Sequence, residues 1–538
     1  MSYEGPVPWY SRALDFEALA REFPPPPNYF QEVYRISRDE LRARQEARFL
    51  QTVARGWEIP FYQRHWGGAG LEAGDIRRLE DLVKLPPYTV QHIRESIEHA
   101  PPFGDFMGVS PEDGARMPLV LQTSGGTTGM PRPMFYAPRD RETMAILGGR
   151  RFALQGVRPG DMVMVTYSLG LSNGGMAPRE AIWRYTGAVP VMTGSGASTP
   201  TRRQIEIAKA WGVNVILGFP SYLRHLAIVA RDEMGIDPRS LGIRSIGSHL
   251  GPEDRERIEE LWGAPCHDAY GTHESGMMAA ECGERAGMHI QEDAVILEIA
   301  DPDSGALVAE GERGAVHITT LYRWGAPQIR FNINDISRIV PGACACGSTL
   351  KRLDRIFGRH DNMVKLRGVN VFPEAIGGVV TADRRTNSEY FCIVERVGAE
   401  EREEMTVLVE VPDPSIDRAQ VAADIEQRLG VVGFVPGQQV VARFRCPGER
   451  RFGRGGIARA PDRMRDAGRN VPLQHCGGGG EYGFGRSEGA EQSRKAAAAQ
   501  SFDRGKPDPC AKALVRLHLG SRSPAGSGNP SGFARPVA

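Results

Sequence analysis

Between residues 117 and about 360, short runs of β-forming residues alternate with longer segments of helical period, and this limits the fold more than any other feature. MPLVLQT (117–123), DMVMVTY (161–167), AVPVM (188–192) and VNVILGF (213–219) read as strands. Segments such as TRRQIEIAKAW (201–211) read as helices between them. Helices that separate strands in this way cover the sheet those strands form, so the expectation is an α/β architecture. Residues 362–445 repeat the pattern on a smaller scale, with EEMTVLVEV and QQVVARF as strands around a helical RAQVAADIEQRLG.

The flanks differ. Residues 1–115 read as mostly helical. Ser37 and Glu40 form a capping box, Ile36 is set to staple onto Leu41, and Ala43, Ala47 and Leu50 mark one helical face. The Pro-rich FPPPPNYF (23–30) is expected to be an extended connector. From 447 the text turns glycine- and arginine-rich, as in CGGGGEYGFGR, with no sustained apolar period beyond ALVRLHL; composition predicts a disordered tail. The expected domains are 1–361, a smaller mobile α+β unit at 362–446, and the low-complexity stretch 447–538. At roughly 150 residues per domain, 538 residues would make two to four domains.

Charge narrows the partners. With 66 basic and 66 acidic side chains, the chain lacks the basic excess of a general nucleic-acid or anionic-membrane binder. No apolar run approaches the ~20 residues that span a bilayer, and MSYEGPVPWYSR has no signal-peptide core, so a cytoplasmic protein is expected. The eight cysteines are not spaced like a small secreted framework, and the Cys344–Cys346 pair suggests metal at least as much as disulfide.

The strongest chemical signal is LQTSGGTTGMPRP (121–133), which runs out of a buried-looking strand. Ser124, Gly125, Gly126, Thr127, Thr128 and Gly129 offer backbone N–H groups and hydroxyls on a chain flexible enough to wrap phosphate oxygens. It is not a Walker A loop, since Met130-Pro131-Arg132 stands where Lys and Ser or Thr are required. A plain Gly/Ser/Thr linker is the alternative.

SGGTTGMPR resembles the phosphate-binding loop of adenylate-forming enzymes, the superfamily of acyl-CoA synthetases, and further motifs follow in that family's order. Tyr270-Gly271-Thr272-His273-Glu274 resembles its Y-G-x-x-E element, PQIRFNIND (327–335) its P-x-I-R-Y-x-x-x-D element, and Gly358-Arg359-His360-Asp361 with Lys365-Leu366-Arg367-Gly368 its hinge element. With VNVFPEAI (369–376), the nearest likeness is to phenylacetate–CoA ligases, over roughly residues 30–445. The resemblance implies a carboxylic acid, ATP with Mg²⁺, and CoA as substrates and cofactors. Glu274 would hold Mg²⁺, and Thr128 and Arg132 would act with it on the phosphates. Tyr270, Gly271, Thr272, Ser248, Asp335 and Arg359 would bind the nucleotide, and Asp361 would be the hinge between domains. Tyr167, Phe219, Pro220 and Tyr222 would line the acyl pocket, although each is also plausible as plain core. His249, in GSHLGP, departs from the family's adenine-facing G-x-E-P.

Cys282, His289, Cys344 and Cys346 make a Cys₃His set suited to tetrahedral Zn²⁺, with four protein ligands pointing to a structural ion; free buried cysteines are the alternative. One departure bears on activity. The family carries a C-terminal lysine that bridges acid and α-phosphate, yet the chain has no lysine between Lys365 and Lys495 and reads RRFGRGGIARAPDR where that lysine belongs. A shifted reading frame near 447–450 is the expectation; genuine divergence, with Arg454 or a tail lysine substituting, and a disordered extension with its own role are the alternatives, and arginine is a poor substitute for a point-charge ammonium. The expected activity is AMP-forming acyl-CoA ligation of an aryl acid, with impaired adenylation. A free-standing adenylation enzyme loading a carrier protein, and a non-catalytic nucleotide-binding homologue, remain alternatives, and self-association as a homodimer is left open.

Overall fold

The computed structural model describes residues 7–123, 131–250, 255–360, 364–366, 369–371, 373–387, 389–397, 402–413, 415–431, 439–443 and 456–459. A nine-stranded sheet organises the larger part. Val189–Val191, Met162–Val165, Val215–Leu217, Ser245–Ser248 and Cys266–Thr272 pair in parallel in that spatial order. The central strand, Val-Ile-Leu, is buried on both faces, as a parallel strand covered by helices must be. From Cys266–Thr272 onward the sheet turns antiparallel through Gly276–Glu281, Met288–Ile290, Arg352–Leu353 and Ile339–Val340. The switch follows from the connections: helices return the chain in the first half, tight turns and loops in the second.

The expected helix at 201–211 is present as Thr201–Trp211, with Ile205 and Ala208 turned inward, and Gly212 closes it in the left-handed region at φ +65°. Pro138–Leu154 is buried on nearly every side, which its position between the sheet and the Asn173–Tyr185 helix demands. Gly148 permits that approach, since a Cβ there would meet the Ala181 Cβ at 2.6 Å.

A second, antiparallel sheet runs Val295–Ala300, Gly314–Thr320, Phe331–Ser337 and Gly358–Arg359. The main core joins it to the N-terminal helices through Phe49, Trp66, Tyr88, Ile318 and Phe331. Each such fully buried large apolar side chain contributes about 1.5–3 kcal/mol. The small unit has a four-stranded sheet, Gln439–Arg443, Arg402–Glu410, Tyr390–Val397 and Gly456–Arg459, against the helices Pro373–Thr381 and Arg418–Val431. Val380, Tyr390, Val407, Val421 and Ile425 fill its core.

Several expectations need correcting. Ser37 does cap the Arg38–Trp57 helix, accepting from the Glu40 N–H at 3.2 Å. Its buried face, however, carries Leu41, Phe49, Val53 and Gly56, while Ala43 and Ala47 are exposed. The bulkier side chains set the face, because an alanine gains too little from burial to decide it. FPPPPNYF is not extended throughout, since Asn28–Glu32 forms a short helix with Pro27 at its N-cap. Val120–Thr123 is not a buried strand but half of a two-stranded ribbon with Pro133–Tyr136, and Val120 and Leu121 are exposed. Gly456–Arg459 pairs in parallel with Phe391–Val394, so the small sheet recruits four residues from beyond position 446, where the tail was expected to begin.

Candidate active site

The Y-G-x-x-E element sits where the large sheet changes from parallel to antiparallel. Tyr270–Thr272 end one strand and Gly276 begins the next, with a register shift between Tyr270 and Gly271. Gly271 is required there, because a Cβ would stand 2.5 Å from the Gly276 carbonyl oxygen. The 272–275 turn is braced from behind. The Tyr136 hydroxyl donates to the His273 carbonyl at 2.7 Å, Arg323 Nη1 to the Glu274 carbonyl at 2.9 Å, and the Tyr322 hydroxyl to the Ser275 carbonyl at 2.7 Å. Thr272 Oγ1 and Ser275 Oγ are 2.9 Å apart.

This bracing presents the buried Glu274 carboxylate to Arg132, whose Nη2 donates to Oε1 at 2.7 Å. Burial pushes the Glu274 carboxyl up, but Arg132 and His273 outweigh it and hold it below the usual carboxylate range. His273 is pulled down to about 4, chiefly by burial, and is therefore neutral near pH 7. Arg132 Nη1 is buried with no hydrogen-bond partner among the described residues. A guanidinium that neutralises a carboxylate and keeps a donor in reserve can take a further anion.

Asp335 lies on the second sheet, paired in register with Arg359. The Tyr270 hydroxyl donates to Asp335 Oδ2 at 2.7 Å and Arg359 Nη1 to Oδ1 at 3.0 Å. Residues 65 and 89 positions apart in sequence from Tyr270 thus meet at the seam between two sheets. Ser248 is buried and donates to the Gly218 carbonyl at 2.8 Å. Ser124, Gly125, Gly126, Thr127, Thr128 and Gly129, together with Asp361 and Arg454, lie outside the described residues.

A cavity of about 530 Å³ adjoins the turn, and its wall includes Tyr270–His273 and Arg359 as well as Phe219, His249 and the helix residues Met144, Gly148, Arg151 and Phe152. Tyr167 stands behind Phe219, ring centroids 4.9 Å apart. Pro220 begins the helix Pro220–Ile228 and Tyr222 turns away, its hydroxyl 3.3 Å from Thr201 Oγ1. His249 Nδ1 lies 2.7 Å from the Ala269 carbonyl oxygen. The braces Tyr136, Tyr322 and Arg323, and the cavity residues Arg151 and Asp268, were not anticipated from sequence; they belong to no linear motif.

Cys282, His289, Cys344 and Cys346 gather at the antiparallel end of the same large sheet, their ligand atoms all within 4.8 Å of one another. Cys282 Sγ and Cys344 Sγ are 3.9 Å apart, and Cys346 Sγ is 3.3 Å from His289 Nε2. Tetrahedral zinc with bonds of about 2.3 Å to sulfur spaces its thiolates about 3.8 Å apart, so the donor set fits that ion. His289 is pulled down to about 4 by burial, leaving a neutral imidazole. Burial works against ionising Cys346, yet hydrogen bonds, first that from Tyr34 (2.9 Å), bring its thiol below the usual range.

Comparison with known proteins accords with this geometry. Residues 72–321 match the AMP-binding enzyme family and residues 368–435 the AMP-binding enzyme C-terminal domain. The chain is 34% identical over 396 residues to phenylacetate-coenzyme A ligase of Thermus thermophilus, covering 71% of this chain and 85% of that one. It is 31% identical over 405 residues to the Escherichia coli enzyme of that name, covering 73% and 88%. Among solved structures, 2-hydroxyisobutyryl-CoA ligase in the postadenylation state with 2-HIB-AMP superposes with a TM-score of 0.71 at 26% identity, over 79% of this chain and 91% of that one. The same ligase with 2-HIB-AMP and CoA in the thioesterification state gives a TM-score of 0.58. The chain therefore belongs to the AMP-binding enzyme family, as a phenylacetate–CoA ligase-like, AMP-forming acid–thiol ligase that works on a carboxylic acid, ATP and CoA.

Proposed function

We propose that the chain converts an aryl carboxylic acid of the phenylacetate kind to its CoA thioester through an acyl-adenylate. The observation that carries this reading is that the 272–275 turn, which holds the Arg132–Glu274 pair, lends Thr272 and His273 to the same partly aromatic cavity that Tyr270 and Arg359, the partners of Asp335, also line. The acid's carboxylate attacks the α-phosphorus of ATP and pyrophosphate leaves, so negative charges must be crowded together. Arg132, with its spare donor, lowers that repulsion. Asp335 offers acceptors suited to the ribose diol, and Arg359 holds that carboxylate in place. Glu274, a hard oxygen donor held ionised, fits Mg²⁺, which when bound supplies charge neutralisation on the phosphates. The loop 124–129 is assigned to the phosphates, with Thr128 counted among the catalytic residues, and Asp361 to the hinge between the 1–361 and 362–446 units. Phe219 and Tyr167 fit a flat ring. In the second half-reaction the CoA thiol displaces AMP.

Cys282, His289, Cys344 and Cys346 are assigned to a structural zinc, since four protein ligands leave no open position for chemistry.

The test is pyrophosphate release from MgATP across aryl and aliphatic acids, with and without CoA. Release with aryl acids, completed to a thioester by free CoA, supports the reading. Product only with a phosphopantetheinylated carrier would replace it with the carrier-loading alternative. The missing lysine favours a second reading in which adenylation is impaired while thioester formation from pre-made acyl-AMP is better preserved. Equal rates or equal losses in the two half-reactions would remove it.

A further inference from the structure

Arg151 is a large buried cation that neither the nucleotide corner nor the metal cluster uses. It is 1% exposed and lies on the cavity-lining face of the Pro138–Leu154 helix with Met144, Gly148 and Phe152. Its Nε donates to Gln155 Oε1 at 3.2 Å, while Nη2 meets no acceptor in full hydrogen-bond geometry among the described residues. No carboxylate among the described residues forms an ion pair with it; Asp268, the nearest acid, spends its Oδ1 on the N–H groups of Leu250 and Ala269. The neighbouring Tyr167 hydroxyl is buried too and interacts with the Arg151 guanidinium, an uncharged neighbour that leaves the cation without a carboxylate. Gly247 leaves room for the guanidinium, since a Cβ there would approach Nη2 to 3.1 Å. The buried Arg150, next in sequence, shows the contrast, as it forms an ion pair with Asp293 and donates to the Pro24 carbonyl.

A guanidinium stripped of water and given no carboxylate is costly to keep unless something else supplies the acceptor. Position indicates what that is. Met144, on the same helix face, abuts Gly276 beside the catalytic turn, where a Cβ would touch its side chain at 2.9 Å. Seven residues at 1.5 Å rise carry Arg151 roughly 10 Å farther along the cavity wall, on the order of the length of a substituted aryl acid. An acid whose carboxylate is activated beside Glu274 would turn its far end toward Arg151.

We infer that Arg151 determines specificity, and that the preferred acids carry an oxygen acceptor, a second carboxylate or a ring hydroxyl, at the end remote from the activated carboxylate. Arg151 donates to that oxygen with Tyr167 alongside. This rests on the ligase reading for which end of the acid reacts, but the acid site itself can be tested without turnover.

The experiment is calorimetric titration of the full chain, with AMP present, using phenylacetate, 4-hydroxyphenylacetate and 4-carboxyphenylacetate, repeated on R151M, R151K and Y167F. Wild type should bind an oxygenated acid about 10- to 100-fold more tightly than phenylacetate. R151M should bring that ratio close to one, R151K should restore part of it, and the two oxygenated acids separate carboxylate from hydroxyl. Wild type that favours phenylacetate, or R151M with the ratio intact, overturns the inference; so does R151M that weakens AMP alone, which would put Arg151 on the nucleotide side. If R151M does not fold, the wild-type ranking and Y167F decide. The ratio with neither pyrophosphate release nor thioester formation from pre-made acyl-AMP would sink the ligase reading and leave this site standing, and turnover with a ratio near one would do the reverse.

Discussion

The nine-stranded sheet carries two clusters of functional side chains, one at the 272–275 turn and one at its antiparallel end, and they differ in how completely they satisfy themselves. Cys282, His289, Cys344 and Cys346 aim at one another and at Tyr34, on a scale that a single tetrahedral ion fills. At the turn, three backbone carbonyls are pinned from behind by Tyr136, Tyr322 and Arg323, but among the described residues Arg132 keeps an unpartnered donor, and a cavity adjoins the turn. A closed set of ligands stabilises a fold. A rigid set with donors in reserve binds something that comes and goes. The same sheet supports both because its parallel half ends in an open seam with the second sheet, while its antiparallel half folds back on itself.

The comparison can be broken by substitution. The largest effect should come from Glu274→Gln, which keeps the shape and removes the charge. Pyrophosphate release is expected to fall about 100- to 1,000-fold, with the thermal melt moved by only a few degrees. A similar loss of stability and activity together would make Glu274 a structural residue. Cys344→Ser should behave in the opposite way. Metal analysis should show about one zinc per chain in the wild type and little in the variant, with a melting temperature lower by several degrees and activity lost only as the fold is lost.

Asp335→Asn should raise the KM for ATP by about tenfold, corresponding to a lost charge-assisted interaction of about 1.4 kcal/mol, and leave the zinc content alone. Steady-state kinetics at varied ATP reads this directly. A pH series sharpens the contrast further. His273, His249, His267 and His317 are each lowered by burial from 6.5 to about 4. Since the folded values are depressed, the unfolded chain takes up protons first. The stability these neutral rings contribute is complete above about pH 6.5 and is lost as pH falls toward 4. Urea melts should weaken through that window, and a zinc-sensitive dye should report release of the ion there, while Glu274 stays ionised through most of it. The smallest effect is expected from Tyr136→Phe, which removes one brace of the turn: about a threefold fall in turnover, with no change in zinc content.

Much of this was legible along the chain because it is local. Strands such as Val215–Leu217 and helices such as Thr201–Trp211 follow from apolar period, and Ser37 caps its helix through a contact three residues away. Long-range pairing was harder to read. The Val120–Thr123 run looked buried because it is apolar, yet among the described residues no element covers Val120 or Leu121. Ala43 and Ala47 have helical spacing but too little surface to choose a face against Leu41, Phe49 and Val53.

By itself, the amino-acid order determined the family, the alternation of strand and helix, and the residue types able to hold phosphate, ribose and metal, since motifs and periods are written in neighbouring positions. Only the tertiary structure decided that Asp335 meets both Tyr270 and Arg359, that Tyr136, Tyr322 and Arg323 brace the Glu274 turn, and that Arg151 lines the cavity with no carboxylate paired to it among the described residues. The physical reason is that burial and hydrogen-bond satisfaction belong to surroundings assembled from distant segments. A guanidinium costs little at the surface and much in the interior, and sequence alone does not say which of 150 and 151 will find its carboxylate.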